Sequence, residues 1–265
     1  MTTLGIIGLG NMGGALVKGW TGRDSLNLIG YDVNPKQAHK VAEATGLEIK
    51  DYIGELVVLS DYIVLAINPQ QMQELLSIIS ADLQKNQCLI SIAAGIRRET
   101  LAQWCGHTCP VVRVMPNTPA MVGAGVFALC YDDKKLSADQ KEFIQIRFRE
   151  LGQVHVIREE FFDAFTGLLG TGPAYVAYFM ESMIEAGVAL GFPRQQSQDM
   201  IQALFEGAVA MSGQSGLSAT VLREMVTSPG GTSSAGMLEL DRRATRSSII
   251  DAVLAATQRS RELGG

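Results

Sequence analysis

Leu4-Gly5-Ile6-Ile7-Gly8-Leu9-Gly10-Asn11-Met12-Gly13-Gly14-Ala15-Leu16 is the stretch whose reading decides the fold. A short apolar run, Leu4 to Leu9, passes into Gly8-Leu9-Gly10-Asn11-Met12-Gly13, and helical spacing follows from Gly14 to Gly22. G-x-G-x-x-G between a strand and a helix is the phosphate loop of a dinucleotide-binding βαβ unit. Its first glycine permits the tight turn, its second lets backbone approach a pyrophosphate, and its third lets the helix pack against the sheet. The helix start presents unpaired N–H groups and a positive dipole end to phosphate. Gly8, Gly10, Asn11, Met12 and Gly13 are thus candidate contacts to NAD(H) or NADP(H).

The same glycines would serve as a plain strand-to-helix turn in another α/β protein, and the next strand argues against that. Leu28 to Asp32 ends in an acid about twenty residues downstream, where a carboxylate accepts hydrogen bonds from the adenosine ribose. An acid there repels a 2′-phosphate, although Lys36 and Lys40 lie close in sequence. The balance favours NADH over NADPH. A solvated strand-end Asp is the alternative reading of Asp32.

Working outward, β-branched runs alternate with helical patterns through residue 155, the signature of a parallel sheet flanked by helices. Expected strands are Leu4 to Leu9, Leu28 to Asp32, Tyr62 to Ile67, Cys88 to Ala93, Val111 to Met115, Val126 to Tyr131 and a short one at Val154 to Ile157. Expected helices are Gly14 to Gly22, Pro35 to Thr45, Pro69 to Ala81, Arg98 to Cys105 and Ala138 to Leu151. After Arg158 the strand signal stops. Residues 159–265 read as all-helical, with helices at Glu160 to Leu168, Pro173 to Gly191, Arg194 to Ser212, Ser218 to Val226, Ser233 to Asp241 and Arg243 to Leu263, and a Gly264-Gly265 tail expected to fray. The expectation is therefore an α/β fold: a doubly wound Rossmann domain over 1–158, then an all-α domain over 159–265.

Several of these helices are too apolar to stand in water. Met180, Met183, Ile184, Val188, Met200, Ile201, Leu204, Phe205, Val209 and Met211 leave broad apolar faces, which a second copy of the chain would cover, giving a homodimer or larger homo-oligomer. The net charge of -5 gives no basic field for nucleic acid or a lipid surface. Met1-Thr2-Thr3-Leu4 lacks the basic start of a signal peptide, and Glu181 and Glu185 interrupt the most apolar later stretch, so no membrane span is expected. Cys88, Cys105, Cys109 and Cys130 are not in C-x-x-C spacing, and Cys105 and Cys109 have only His107 nearby as another soft ligand. Buried or idle thiols in a reducing cytoplasm, with no metal site, are the expectation.

Two further segments are more specific than the glycine loop, Val111-Val112-Arg113-Val114-Met115-Pro116-Asn117-Thr118-Pro119-Ala120 and Thr227-Ser228-Pro229-Gly230-Gly231-Thr232-Ser233, and Ser91-Ile92-Ala93-Ala94-Gly95 and Gly170-Thr171-Gly172-Pro173-Ala174-Tyr175 accompany them. In order and spacing they resemble the signature blocks of Δ1-pyrroline-5-carboxylate reductases across nearly the whole chain. The resemblance implies a Rossmann domain followed by an interlocking dimerisation domain. It also implies reduction of the C=N bond of pyrroline-5-carboxylate to L-proline, the last step of proline biosynthesis. Three departures stand out. Ala66-Ile67-Asn68-Pro69 replaces the family's Ala-Val-Lys-Pro, so Ala66, Asn68 and Pro69 remain cofactor candidates without the cation. Ser233 stands where a Thr is usual, and Thr171 where a Ser is usual, a hydroxyl retained in each case.

The residues themselves suggest roles. Gly230-Gly231-Thr232-Ser233 lies between two helices, where successive N–H groups form a nest for a substrate carboxylate; a Pro-Gly loop with a Ser or Thr cap is the plainer reading. Asn117 follows a strand end and offers a donor and an acceptor to a carboxamide, or else forms a turn. Ala93, Ala94 and Gly95 leave room for a nicotinamide ring. Beyond Lys141 the chain has no lysine, and beyond His155 no histidine. A ketone needs a proton for its developing alkoxide, whereas a cyclic imine can be protonated before reduction, so the absence favours an imine over a hydroxyacid. Ser233 is then the catalytic candidate, orienting the imine nitrogen beside the substrate-binding Gly230, Gly231, Thr232 and Thr171. A β-hydroxyacid dehydrogenase-like oxidoreductase and a non-catalytic dinucleotide-binding paralogue are the competing readings.

Overall fold

The computed structural model describes residues 1–23 and 25–264. Gly264 closes the last helix, and Gly265 of the expected frayed tail lies outside the described residues. In chain order the first part runs β1 (Thr2–Ile7), α1 (Asn11–Trp20), β2 (Leu26–Tyr31), α2 (Pro35–Thr45), β3 (Glu48–Ile49), α3 (Ile53–Leu59), β4 (Tyr62–Leu65), α4 (Met72–Ile79), β5 (Cys88–Ser91), α5 (Arg98–Trp104), β6 (Val111–Met115), β7 (Gly125–Cys130), α6 (Ala138–Arg149) and β8 (Gly152–Val156).

The strands form one sheet in the order β3-β2-β1-β4-β5-β6-β7-β8. The order reverses between β1 and β4, the switch point where open α/β sheets seat ligands beyond the strands' carboxyl ends. All neighbours pair in parallel except β6 and β7. That joint corrects the expectation of a parallel sheet. Residues 116–124 are too few for a parallel crossover, which needs about a dozen or more, and a 3-10 turn at Thr118–Val122 sends the chain straight back.

Burial on both faces explains the near-continuous apolar strands. Tyr62 and Val64 of β4 join the core beneath α1 and α6, with Leu16, Trp20, Ile144 and Phe148, while Ile63 and Leu65 join the opposite core with Leu56, Met72, Leu76 and Leu101. Trp20 meets Phe148 edge-on at 5.3 Å. Two elements, β3 and α3, have no counterpart in the sequence pattern. β3 is two residues long. Over Ile53–Leu59, Gly54 and the β-branched Ile53, Val57 and Val58 have weak helical preference, and burial of Leu56 and Val57 beneath the sheet makes the helix.

The chain divides into two compact units, 1–171 with 255–265, and 172–254. The end of strand pattern at 158/159 is thus followed by a segment that still packs with the sheet. Glu159 Oε1 accepts from Arg98 N at 2.6 Å and from Arg113 Nη1 at 2.8 Å, and Phe162 and Phe165 bury against Ala128 and Cys130. The single helix expected at Glu160 to Leu168 is replaced by a 3-10 turn (Glu159–Phe161), α7 (Phe162–Phe165) and a π turn (Thr166–Gly170). A methyl on Gly167 would lie 2.2 Å from Thr257 Oγ1, so the wide turn brings backbone onto that threonine.

The second unit holds α8 (Gly172–Ala189), α9 (Arg194–Ser215), α10 (Ala219–Met225), α11 (Thr232–Arg242) and the start of α12 (Thr245–Gly264). Ser197 Oγ donates to Ile184 O at 2.9 Å, and the Phe179 and Phe205 rings meet at 6.1 Å. Over 172–254 only Ser197 and Leu222 are buried. Among the described residues no helix is long and apolar enough to cross a membrane.

Candidate functional site

In the first unit, β1 delivers Gly8 to the switch point with φ +94°, a left-handed conformation that disfavours any side chain. Gly8 N donates to Tyr31 O at 2.9 Å, which ties the loop to β2. A methyl on Gly8 would lie 2.5 Å from Ala66 O, and one on Gly13 would lie 1.9 Å from Gly8 O. Both glycines are therefore required by the chain itself. Gly10 is different: a methyl there meets nothing within 4 Å. Its bareness leaves space for something outside the chain.

Immediately after Gly10, α1 begins with no side-chain cap and no acid in its first turn. Its first N–H groups, at Asn11, Met12 and Gly13, are the free donors that a pyrophosphate needs. Gly8, Gly10, Asp32 and Ala66 line one cleft of about 420 Å³, together with Val33, Ile53, Gln71, Glu74, Leu75 and Ile78. The last six come from the β2 end, α3 and the α4 region. They carry no motif in the sequence, because only the sheet topology brings them opposite the glycine loop.

Asp32 sits at the cleft with both oxygens engaged, Oδ2 accepting from Leu9 N at 2.6 Å and Oδ1 from Asn34 N at 2.8 Å. Each oxygen keeps a second lone pair for a hydroxyl donor. Gln37 Nε2 donates to Leu9 O at 2.5 Å, so the loop is fixed from both sides. Asn68 caps the 3-10 turn Pro69–Gln71 by accepting from Gln70 N at 3.2 Å. Neither Asn68 nor Pro69 lines the cleft.

The remaining expected residues of this unit stand apart from the glycine cleft. Ala93 is buried, and Gly95, at φ +80°, lines a separate polar hollow of about 700 Å³ with Arg97, Arg113, Glu159, Glu160, Asp163 and Arg261. Ala94 lies between them and is half-buried. Asn117 is buried, its Oδ1 accepting from Val126 N at 2.9 Å and its Nδ2 donating to Leu169 O at 3.2 Å. Those bonds staple the β6–β7 loop to its neighbours. Thr171 Oγ1 donates to Thr166 O at 3.1 Å and closes the π turn.

In the second unit, Gly230 has φ +71°, and Gly231 N donates to Ser228 O at 3.1 Å, a tight turn leading into α11. Thr232 and Ser233 open that helix, which has neither a side-chain cap nor an acid in its first turn. Its initial N–H groups are thus available to a carboxylate. Ser233 lines a hollow of about 580 Å³ with Arg223, Thr227, Gly236, Met237, Glu239, Leu240 and Arg243.

All four cysteines are free and buried. A hydrogen bond from the Cys109 thiol draws Cys105 down to about 7, while the same bond and burial push Cys109 up. Among the described residues no group of three or more His, Cys, Asp or Glu is placed to hold a metal ion.

Comparison with known proteins covers both units. Residues 159–263 match the family model described as pyrroline-5-carboxylate reductase dimerisation, and residues 3–95 match that described as NADP oxidoreductase coenzyme F420-dependent. A pyrroline-5-carboxylate reductase of Glycine max is 36% identical over 264 residues, covering 98% of this chain and 96% of that protein. One of Escherichia coli is 31% identical over 263 residues, covering 98% and 97%. The crystal structure of Plasmodium falciparum pyrroline carboxylate reductase with NADP bound is 32% identical, with a TM-score of 0.91 over 100% of this chain and 98% of that one.

Proposed function

This chain belongs to the pyrroline-5-carboxylate reductase family, and from that premise we propose how its residues reduce 1-pyrroline-5-carboxylate to L-proline in proline biosynthesis. The observation that carries the reading is the pair of uncapped helix starts, α1 behind Gly10 and α11 behind Gly231. One fits a dinucleotide pyrophosphate and the other a substrate carboxylate. Bound nicotinamide in its reduced form supplies a hydride to the C=N carbon. The chain's own residues hold and orient. The α11 start and the Gly230-Gly231 turn seat the carboxylate, and Ser233 hydrogen-bonds the ring nitrogen, which becomes the amine of proline. Asn117 and Thr171, whose side chains bond internally, keep the β6–β7 loop and the π turn in place.

The absence of lysine and histidine from the helical region suits this substrate. The imine nitrogen carries its proton before reduction, so no group has to deliver one to an alkoxide, and positioning supplies most of the acceleration. Asp32, and Asn68 where a lysine is usual, favour NADH over NADPH. The exposed apolar helices of the second unit support a homodimer or larger assembly of this chain. Four free thiols suit a reducing compartment such as the cytoplasm.

The test is steady-state kinetics with racemic pyrroline-5-carboxylate. Ser233→Ala is expected to lower kcat/KM by about one to two orders of magnitude while the affinity for dinucleotide holds. An unchanged kcat/KM removes Ser233 from the mechanism, and no oxidation of NADH or NADPH with the imine overturns the reading.

A further inference from the structure

The glycine cleft contains an acid that the loop motif does not account for. Glu74, in the first turn of α4, lines it together with Asp32, and none of its lining residues is a lysine or an arginine. Lys36 and Lys40, close to Asp32 in sequence, are exposed on α2 and do not line it. Asn68, where the related family has a lysine, is occupied in capping the turn ahead of α4 and does not line the cleft. The apolar lining, Val33, Ile53, Leu75 and Ile78, suits a flat base, and Asp32 marks the ribose end.

We propose that Glu74 is a second specificity-determining residue, which acts through space with Asp32 to disfavour a 2′-phosphate on the adenosine ribose; the inference rests on the NADH preference proposed above. A 2′-phosphate adds about two negative charges near neutral pH. Both residues line the same cleft of about 420 Å³, and over one Debye length, roughly 8 Å at physiological salt, their charges are only partly screened from a ligand bound in it. Over about 5–8 Å in a wet cleft, one carboxylate against a doubly charged phosphate weakens binding about twofold to fivefold after screening. Glu74 differs from Asp32 in making no hydrogen bond that holds the loop. Its charge can therefore be removed without disturbing the phosphate turn.

The experiment is isothermal titration calorimetry with ADP-ribose and with 2′-phospho-ADP-ribose on the full chain, for wild type, Glu74→Gln and Glu74→Lys. Wild type is expected to bind ADP-ribose more tightly. Glu74→Gln should narrow the ratio of the two Kd values about twofold to fivefold, and Glu74→Lys should narrow it further. Raising KCl from 50 to 500 mM should narrow the wild-type ratio by screening. A merely structural role for Glu74 would weaken both ligands alike and leave the ratio unmoved, which overturns the inference while the NADH reading stands. Tighter wild-type binding of 2′-phospho-ADP-ribose overturns the NADH reading itself.

Discussion

The two compact units of this chain are built on opposite terms. The first carries dense apolar cores on both faces of its sheet, with Leu4, Ile6, Leu16, Ile63, Leu65 and Phe127 all essentially inaccessible to water. The second, residues 172–254, buries only Ser197 and Leu222, and leaves Tyr178 and Val209 73% and 70% exposed. Full burial of one large apolar side chain contributes about 1.5–3 kcal/mol, so the first unit is stabilised from within. The second has almost none of that contribution in a single chain. Its helices hold their shape through local hydrogen bonds, and in the assembly proposed above they would gain their apolar burial from another copy. The difference teaches that one chain completes the core of the glycine-loop unit while the helical part leaves its apolar faces for a partner surface to cover.

The strongest way to break this contrast is to charge the bare faces. Val209→Asp and Ile249→Asp are each expected to shift sedimentation toward monomer, with at least about a tenfold loss of reductase activity, since obligate assemblies lack a stable folded monomer. Fully assembled, active variants would show that these faces do not meet a second copy. The first unit should respond to a change inside its own packing. Gly13→Ala places a methyl against the Gly8 carbonyl and is expected to cost about 3 kcal/mol, read as a fall in Tm of about 10 °C. Gly10→Ala should leave Tm within about 2 °C and weaken ADP-ribose at least about tenfold, because its methyl projects into space the chain leaves empty. If both variants lose stability equally, Gly10 is structural and not part of the cofactor seat.

The smallest effect concerns alkali. Burial, with the nearby Cys88 and Asp61 adding to it, pushes the Tyr62 phenol up to about 12. A raised acid keeps its proton in the folded state while the unfolded chain releases it above about 10. Stability contributed by Tyr62 is therefore complete below pH 10 and lost as pH rises toward 12. Tyr62→Phe should flatten the decline in Tm between pH 9.5 and 11.5 by about 2 °C. A parallel decline in both proteins removes Tyr62 as a cause.

Legibility differed between elements for identifiable reasons. The strands β1, β2, β4, β5 and β6 are largely buried, and their short apolar runs are visible in one dimension. The antiparallel return of β7 was not, because strand direction depends on how far nine residues of loop can travel. α3 gave no helical pattern, since its seven residues are held by burial of Leu56 and Val57 rather than by propensity. Within the candidate site, Gly8 and Gly13 were legible because the backbone there leaves no room for a side chain, and Gly10 and Asp32 because approach to a pyrophosphate and a ribose calls for those residue types at that spacing. Asn117 and Thr171 were readable as polar residues in signature blocks, but their internal bonds to Val126, Leu169 and Thr166 emerge only in three dimensions.

Sequence alone determined the phosphate loop, the alternation of strand and helix, the family blocks and the long apolar helices, all of which are local patterns of φ, periodicity and residue type. Tertiary structure decided the rest. It placed Glu74 and Val33 across from Gly10, returned the last helical turns to the first unit, and showed how little the second unit buries. Those are statements about distance and solvent between residues far apart in the chain, and no local pattern encodes them.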